Sequence, residues 1–378
     1  MKKAMIGKVI VTLIAVLGLS AVLAGCGGGG AASSAATGDA SASASAATSA
    51  ATDSSASASA AASAATDSGS TGSTGATTDA KGTGTPLQFV TGGESGTYYA
   101  FGSVIAQHAT NNAGVNLNAV AGNGSQANVQ ELQDGISDLA FCQSDVMAYA
   151  YEGINLFEDS GKVDCFSTVA CLYDEQVQIV TCDPSIKTVD DLKGKNVSVG
   201  AAGSGVYFNA IDVLAAYGMT LEDINPTYES FADTTNSIKD GKIDAGFVVA
   251  GAPTTSITDL SVSKQAYLVS LDDEHVEKLL QSSDYYSETV IPAGTYDGID
   301  EDITTVSVGA VILANDTVAE DDIYALCADL FTDPASLVES HAKYAEISAE
   351  KGASITSVPY HPGAAKYFQE QGFTVTSK

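Results

Sequence analysis

Hydrophobic and polar positions divide the 378-residue chain into three stretches. The first is an apolar run, Val9 to Ala24, that follows Lys2, Lys3 and Lys8 and ends in Leu23-Ala24-Gly25-Cys26. A basic start, a short apolar segment and small residues before a cut make a secretory signal peptide. A membrane-spanning helix wants about 20 apolar residues, whereas this run dissolves into Gly27 to Gly30. The second stretch, Gly27 to Thr85, is almost wholly Ala, Ser, Thr, Gly and Asp, with no aromatic residue and no Val, Ile, Leu or Met. Such a segment has nothing to bury against the entropy of ordering, so it reads as a disordered tether, with a glycosylated Ser/Thr stalk as the other reading its composition permits. At about 5 to 6 Å times the square root of its length, its r.m.s. span is on the order of 40 to 45 Å. The fold is expected in the third stretch, residues 86–378.

There, short β-branched runs alternate with longer segments of helical period, the pattern of βαβ units. Strands are expected at Leu87 to Val90, Val115 to Val120 and Asp138 to Cys142, with helices at Tyr98 to Asn111, Asn128 to Asp134 and Ser144 to Glu152. Two apolar runs follow, Ser167 to Leu172 and Val177 to Cys182, with charges between them. A second cycle then begins, with strands at Asn196 to Gly200, Ile224 to Tyr228 and Ala245 to Val249 and helices at Val206 to Tyr217, Asp233 to Asp240 and Thr254 to Leu260. Further strands read at Ala266 to Leu271, Thr289 to Pro292 and Ile303 to Leu313, and late helices at Glu320 to Phe331 and Ser336 to Ala349. Val177 to Cys182 and Ile303 to Leu313 are read as outward and return crossings between two α/β lobes, a hinge of two crossing segments. The lobes are then 86–180 with 306–378, and 181–305. A cleft between such lobes is the default place for a small ligand.

Charge narrows the partners. The formal net charge is -30, and because the four lysines and four acids of residues 1–85 cancel, all of it belongs to residues 86–378. Nucleic acid needs clustered basic residues and is excluded as a partner. Every basic residue is lysine. Without an arginine fork, an anionic ligand must be held by backbone amides, hydroxyls or a lysine. Beyond Cys26, the cysteines at 142, 165, 171, 182 and 327 lie in apolar runs and read as buried thiols, a Cys165–Cys171 disulfide being the rival. No Cys or His spacing suggests zinc, and neither metal nor cofactor is expected.

Two glycine-rich turns stand between a strand and a helix, Gly92-Gly93-Glu94-Ser95-Gly96-Thr97 and Gly200-Ala201-Ala202-Gly203-Ser204-Gly205. Glycine lets the backbone approach a ligand, and free amides at a helix start favour an anion; a purely structural tight turn is the alternative for either one. The second has its glycines in the wrong order for a dinucleotide loop. Gly203-Ser204-Gly205 lacks the outer spacing of a nucleophile elbow, and no histidine stands ready as its base. The pairs Asp190-Asp191, Asp272-Asp273 and Asp321-Asp322 lie at expected helix starts, where Asp favours the dipole, rather than reading as catalytic carboxylates.

Two resemblances bear on these residues. Leu23-Ala24-Gly25-Cys26 resembles the lipobox of bacterial lipoproteins, which implies cleavage after residue 25, lipidation of Cys26 and an extracytoplasmic domain anchored to the cell membrane through residues 26–85. Gly92 to Tyr99, Leu139 to Asp145, Val189 to Lys195, Gly203-Ser204-Gly205, Asp240 to Ala245, Gly251-Ala252-Pro253 and Pro359 to Ala364 together resemble, in order, the TAXI family of solute receptors. That family serves tripartite ATP-independent periplasmic (TRAP) transporters. The resemblance implies a type II periplasmic-binding-protein fold that closes on a small solute, glutamate or a related carboxylate or amino acid, and hands it to a TRAP permease without catalysis.

Carried over residue by residue, the family's ligand contacts fall on Gly93, Ser95, Thr97 and Tyr98 in the first turn. Gly124 and Ser125 follow in the second segment, Gln143 after the strand Leu139 to Cys142, Ser204 and Gly205 in the second turn, and Gly251 and Pro253 beyond another strand. Gln143 also sits at a strand's carboxyl end, where α/β folds bind ligands. Glu94, Ser95 and Val206 depart from the usual family residues. Glu94 is read either as the partner of a solute ammonium group or as a solvated surface residue. Tyr98 and Tyr99 offer cleft walls, and His361 reads as a turn residue. An exported hydrolase, a sensor subunit of the same fold and an ABC-type receptor are the rival readings.

Overall fold

The computed structural model describes residues 80–378. The expected signal peptide, Cys26 and most of the expected tether lie outside the described residues. Among the described residues no helix is long and apolar enough to cross a membrane.

In chain order the first elements are β1 (Leu87–Val90), α1 (Thr97–Asn112), β2 (Leu117–Val120), α2 (Ser125–Gln133), β3 (Leu139–Gln143) and α3 (Ser144–Glu152). The long strand β4 (Phe166–Thr181) leads to β5 (Asn196–Ser198), α4 (Val206–Ala216), β6 (Asn225–Thr227), α5 (Phe231–Lys239) and β7 (Ala245–Ala250). Then come α6 (Thr255–Ser263), β8 (Tyr267–Leu268), α7 (Asp273–Ser282), β9 (Ser287–Ile291), β10 (Ile303–Asn315), α8 (Glu320–Thr332), α9 (Ala349–Gly352) and α10 (Pro362–Glu370).

One ten-stranded sheet runs β2-β1-β3-β10-β4-β7-β5-β6, with β8 on β4 and β9 on β10. Strands β1, β2 and β3 are parallel, as are β5, β6 and β7. Parallel neighbours require crossover connections, here the expected helices. β10 runs antiparallel to β3 and β4, and β4 antiparallel to β7. Each half therefore repeats one order, second, first and third strand and then the two crossing strands. This is the two-lobed α/β architecture of type II periplasmic-binding proteins, and β4 and β10 are its hinge segments.

Alternate residues of the parallel strands go to opposite faces, as strand geometry demands. Phe89, Leu139 and Phe141 pack with α1 and α8 on one face, and Val90, Ala140 and Cys142 with α2 and α3 on the other. The second half does the same, with Phe247 and Val249 in one cluster and Val248 and Ala250 in another. In α1 the buried positions Tyr98, Phe101, Ile105 and Ala109 recur at helical spacing and face the sheet. Each fully buried Phe, Ile or Val contributes about 1.5 to 3 kcal/mol.

Several expectations change. The two apolar runs around residues 167–182 are a single 16-residue strand, because the intervening Asp174 and Glu175 interrupt hydrophobicity without supplying a turn residue. Cys165 and Cys171 are free; six residues along extended chain separate them by about 20 Å, far beyond disulfide reach. Ser336 to Ala349 is not one helix. It breaks into 3-10 turns at Pro334–Leu337 and Ala342–Glu346. The side chain of His341 accepts from the Lys343 N–H and that of Ser348 from the Lys351 N–H, so polar residues inside the stretch start new turns.

Residues 82 and 83, within the stretch read as tether, bond to the domain. The Gly82 N–H donates to the Ala113 carbonyl at 2.9 Å, and Asp322 accepts from the Thr83 N–H at 2.7 Å and its hydroxyl at 2.8 Å. The acidic pairs do sit at helix starts: Asp191 completes a capping box with Thr188, Asp272 caps α7, and Asp321 and Asp322 lie in the first turn of α8. His361 caps α10 from a buried position, its Nδ1 accepting from the Gly363 N–H at 3.3 Å.

Candidate functional site

A cavity of about 120 Å³ lies where the turns of the two halves meet. Helices α1, α2 and α4 begin there, on Gly96, Gly124 and Gly205, and in none of the three does a side chain cap the first turn. An α-helix leaves its first N–H groups without intrahelical acceptors. Three uncapped starts therefore concentrate donors and the positive ends of helix dipoles around one space. The buried Ser204 Oγ, just ahead of α4, has no hydrogen-bond partner within the protein.

Glycine is required where the halves touch. A Cβ on Gly205 would coincide with the Gln143 side chain, and Gly124, at φ 100°, would place one 3.2 Å from the Ser204 backbone. Direct bonds join the two sides: Ala127 N–H to the Gly203 carbonyl at 2.9 Å, Ser256 N–H to the Ser95 carbonyl at 3.3 Å, and Thr97 Oγ1 to the Gly251 carbonyl at 2.8 Å.

Behind the turns a buried polar network crosses between the halves. Gln143 Nε2 donates to Asn209 Oδ1 at 2.6 Å, and Asn209 Nδ2 donates to Asp145 at 3.0 Å and to the Tyr286 hydroxyl at 2.8 Å. Tyr286 in turn donates to Asp212 at 2.8 Å. Ser125 Oγ accepts from the Gln143 N–H at 3.1 Å and donates to Gln143 Oε1 at 3.3 Å, which fixes the amide's orientation. Burial pushes the Asp145 carboxyl up to about 7 despite bonds from the Val146 N–H and Asn209.

The cavity also holds Glu175, from the middle of β4, only 2 % exposed. It is the only charged residue among the described residues lining the space. Burial pushes its carboxyl up to about 8; the nearby Tyr98 hydroxyl and the charge of Lys343 pull the other way, and Asp145 adds to the rise. The Tyr98 hydroxyl stands within reach of this carboxyl but in no well-aligned hydrogen bond, while its ring stacks on Phe141 at 4.5 Å. Among the described residues no cluster of His, Cys, Asp and Glu is arranged to hold a metal.

Of the residues expected at the site, Gly93, Thr97, Tyr98, Gly124, Ser125, Gln143, Ser204, Gly205 and Val206 line this cavity. Thr97 turns its hydroxyl to Gly251, so that hydroxyl and the Gly251 carbonyl serve the contact between halves. Pro253 lies in an adjoining hollow with His341 and Lys343. Ser95 touches the other half through its carbonyl. Glu94 is exposed and does not line the cavity, the placement of a solvated surface residue. Sequence reading missed Glu175, Asn209 and Phe231. Asn209 lies inside an apolar helix and gives no local signal. Glu175 left one, an acid between two apolar runs with no turn residue beside it.

Residues 89–372, which include both halves of the sheet and every residue lining the cavity, match one family throughout. The chain belongs to the NMT1-like family. Solved structures resemble this NMT1-like protein at low identity. The periplasmic aliphatic sulphonate binding protein SsuA from Escherichia coli is 19 % identical, with 75 % of this chain and 82 % of that one covered and a TM-score of 0.41. The alkanesulfonate-binding protein SsuA from Xanthomonas axonopodis pv. citri, bound to MOPS, is 16 % identical over 75 % and 83 %, with a TM-score of 0.44. The ligand binding component of an ABC-type import system from Staphylococcus aureus is 10 % identical over 77 % and 94 %, with a TM-score of 0.46.

Proposed function

We propose that this NMT1-like protein is an extracytoplasmic solute receptor, not an enzyme, anchored to the cell membrane through lipid on Cys26. It binds a small carboxylate or amino acid, glutamate-like in size, between its lobes and delivers it to a TRAP permease. One observation carries this reading: three helix starts on glycine, with no side-chain cap, meet from two lobes around a cavity that holds a partnerless serine hydroxyl. In a chain without arginine, that arrangement supplies what a carboxylate needs.

The lobes of this reading are 86–180 with 306–378, and 181–305, swinging about β4 and β10. Solute enters with the lobes parted, and its carboxylate then meets amides and hydroxyls from both sides. Contacts made only when the lobes are shut bias the equilibrium toward closure, which is the only way a ligand can drive it. The shut face is what a permease reads.

Mass spectrometry of the solute that co-purifies with the protein tests this directly. A small carboxylic or amino acid is expected; a solute without a carboxylate rejects the reading. Uptake into vesicles containing the permease should follow an ion gradient, and a requirement for ATP would reassign the partner to an ABC-type permease.

A further inference from the structure

The donors around the cavity account for a negative group on the solute; they leave Glu175 without a purpose. A buried carboxyl is costly to keep unless something pairs with it. Ser204 and the starts of α1, α2 and α4 form the donor-rich side of the space, and the sole charged residue lining it among those described is an acid. A donor-rich side together with a carboxylate matches a zwitterion, whose two charges need opposite partners. Sulfonates, phosphonates and plain dicarboxylates bring no positive group for a carboxylate and could meet Glu175 only as the protonated acid.

We propose that Glu175 is the cation subsite of this cavity, taking the solute's ammonium group and releasing one proton as the pair forms. The inference rests on the receptor reading above and narrows its solute to one with both an ammonium and a carboxylate. The balance is simple: the Glu175 O–H bond breaks, its proton goes to solvent, and the carboxylate pairs with an ammonium group that keeps its own protons. In the empty cavity burial holds the carboxyl protonated up to about pH 8, so it is neutral when waiting and charged when occupied. The titratable neighbours are Tyr98 from α1, Asp145 from α3, Cys142 from β3, Cys171 and Tyr173 on the same strand and Lys343 from the turn Ala342–Glu346. Burial holds the tyrosine and cysteine groups neutral across this range. Asp145, pushed up to about 7, lies in the same electrostatic field, and its ionisation raises Glu175 further.

The sign follows from linkage. A solute that binds only the ionised form loses about tenfold in affinity for each pH unit below the free carboxyl's midpoint. A protonated Glu175 donating to a carboxylate would give the opposite slope.

The test is calorimetry on the mature protein in detergent, with L-glutamate against its deaminated counterpart glutarate, and the other L-amino acids against theirs. Titrations run from pH 5.5 to 8.5 in buffers of different ionisation heat. The expected result is a preference of more than about 100-fold for the amino acid, affinity rising with pH, and close to one proton released near neutrality. Glu175→Gln should erase the preference and the proton release while leaving the unliganded melting transition cooperative. If that variant does not fold, the wild-type pair and its pH slope decide alone. Glutarate binding as tightly as L-glutamate, or affinity falling as pH rises, overturns the ammonium subsite and leaves the carboxylate-receptor reading intact. Binding of neither amino acids nor deaminated acids overturns both.

Discussion

Three helices that start at the cavity and three that start elsewhere are finished differently. α1, α2 and α4 begin on glycine with no side-chain cap, whereas α7, α9 and α10 begin on Asp272, Ser348 and His361, each accepting a backbone N–H. At the cavity's edge α5 is capped by its own Ser230. A serine or aspartate cap satisfies one orphan donor and is worth about 1 kcal/mol over alanine; glycine gives up only a few tenths relative to it. The glycine starts thus lose little stability and leave first-turn donors without a side-chain acceptor, although α2 gives its Ala127 N–H to the Gly203 carbonyl. At α7, α9 and α10 a side chain closes the helix; at α1, α2 and α4, in the proposed receptor, the closing group comes from the solute.

The strongest way to break that comparison is to fill a glycine start. Gly205→Ala puts a methyl group on Gln143, so the lobes cannot reach the shut arrangement, and solute affinity should fall roughly 100-fold. Its φ of -69° suits any residue, so unfolding in urea should shift by under about 1 kcal/mol. Unchanged affinity in calorimetry would mean that the α4 start does not approach Gln143 when solute binds. The smaller effect sits at the other kind of start. Asp272→Ala removes the bond accepted from the His275 N–H and should cost about 1 kcal/mol of stability without altering solute affinity. A change in affinity there would erase the distinction between the two classes of helix start.

Much of this was legible from residue pattern. The βαβ rhythm placed the parallel strands of both halves, since each apolar run was bounded by a turn and followed by helical spacing. The glycine turns were legible because few other reasons put Gly203-Ser204-Gly205 between a strand and a helix. What escaped were features that depend on partners distant in sequence. β4 was split in two because an acid in mid-strand looks like an interruption until the opposite lobe buries it. The same blindness leaves Glu94, acidic and beside a glycine turn, open to two readings, an ammonium partner or a surface residue; it is exposed, and the acid that faces the cavity lies far along the chain at Glu175. Asn209 joins Gln143, Asp145 and Tyr286 from three different elements, a convergence no local window contains.

The central claim, that uncapped helix starts grip the solute, is tested most directly by nuclear magnetic resonance of the backbone amides during titration with L-glutamate. The account predicts that the N–H signals of Thr97, Ser125 and Val206 move together and saturate at one midpoint, while those of α7 and α10 stay in place. Saturable binding that leaves these three amides unmoved, with shifts gathered instead around the hollow beside His108 and Asp329, would contradict it.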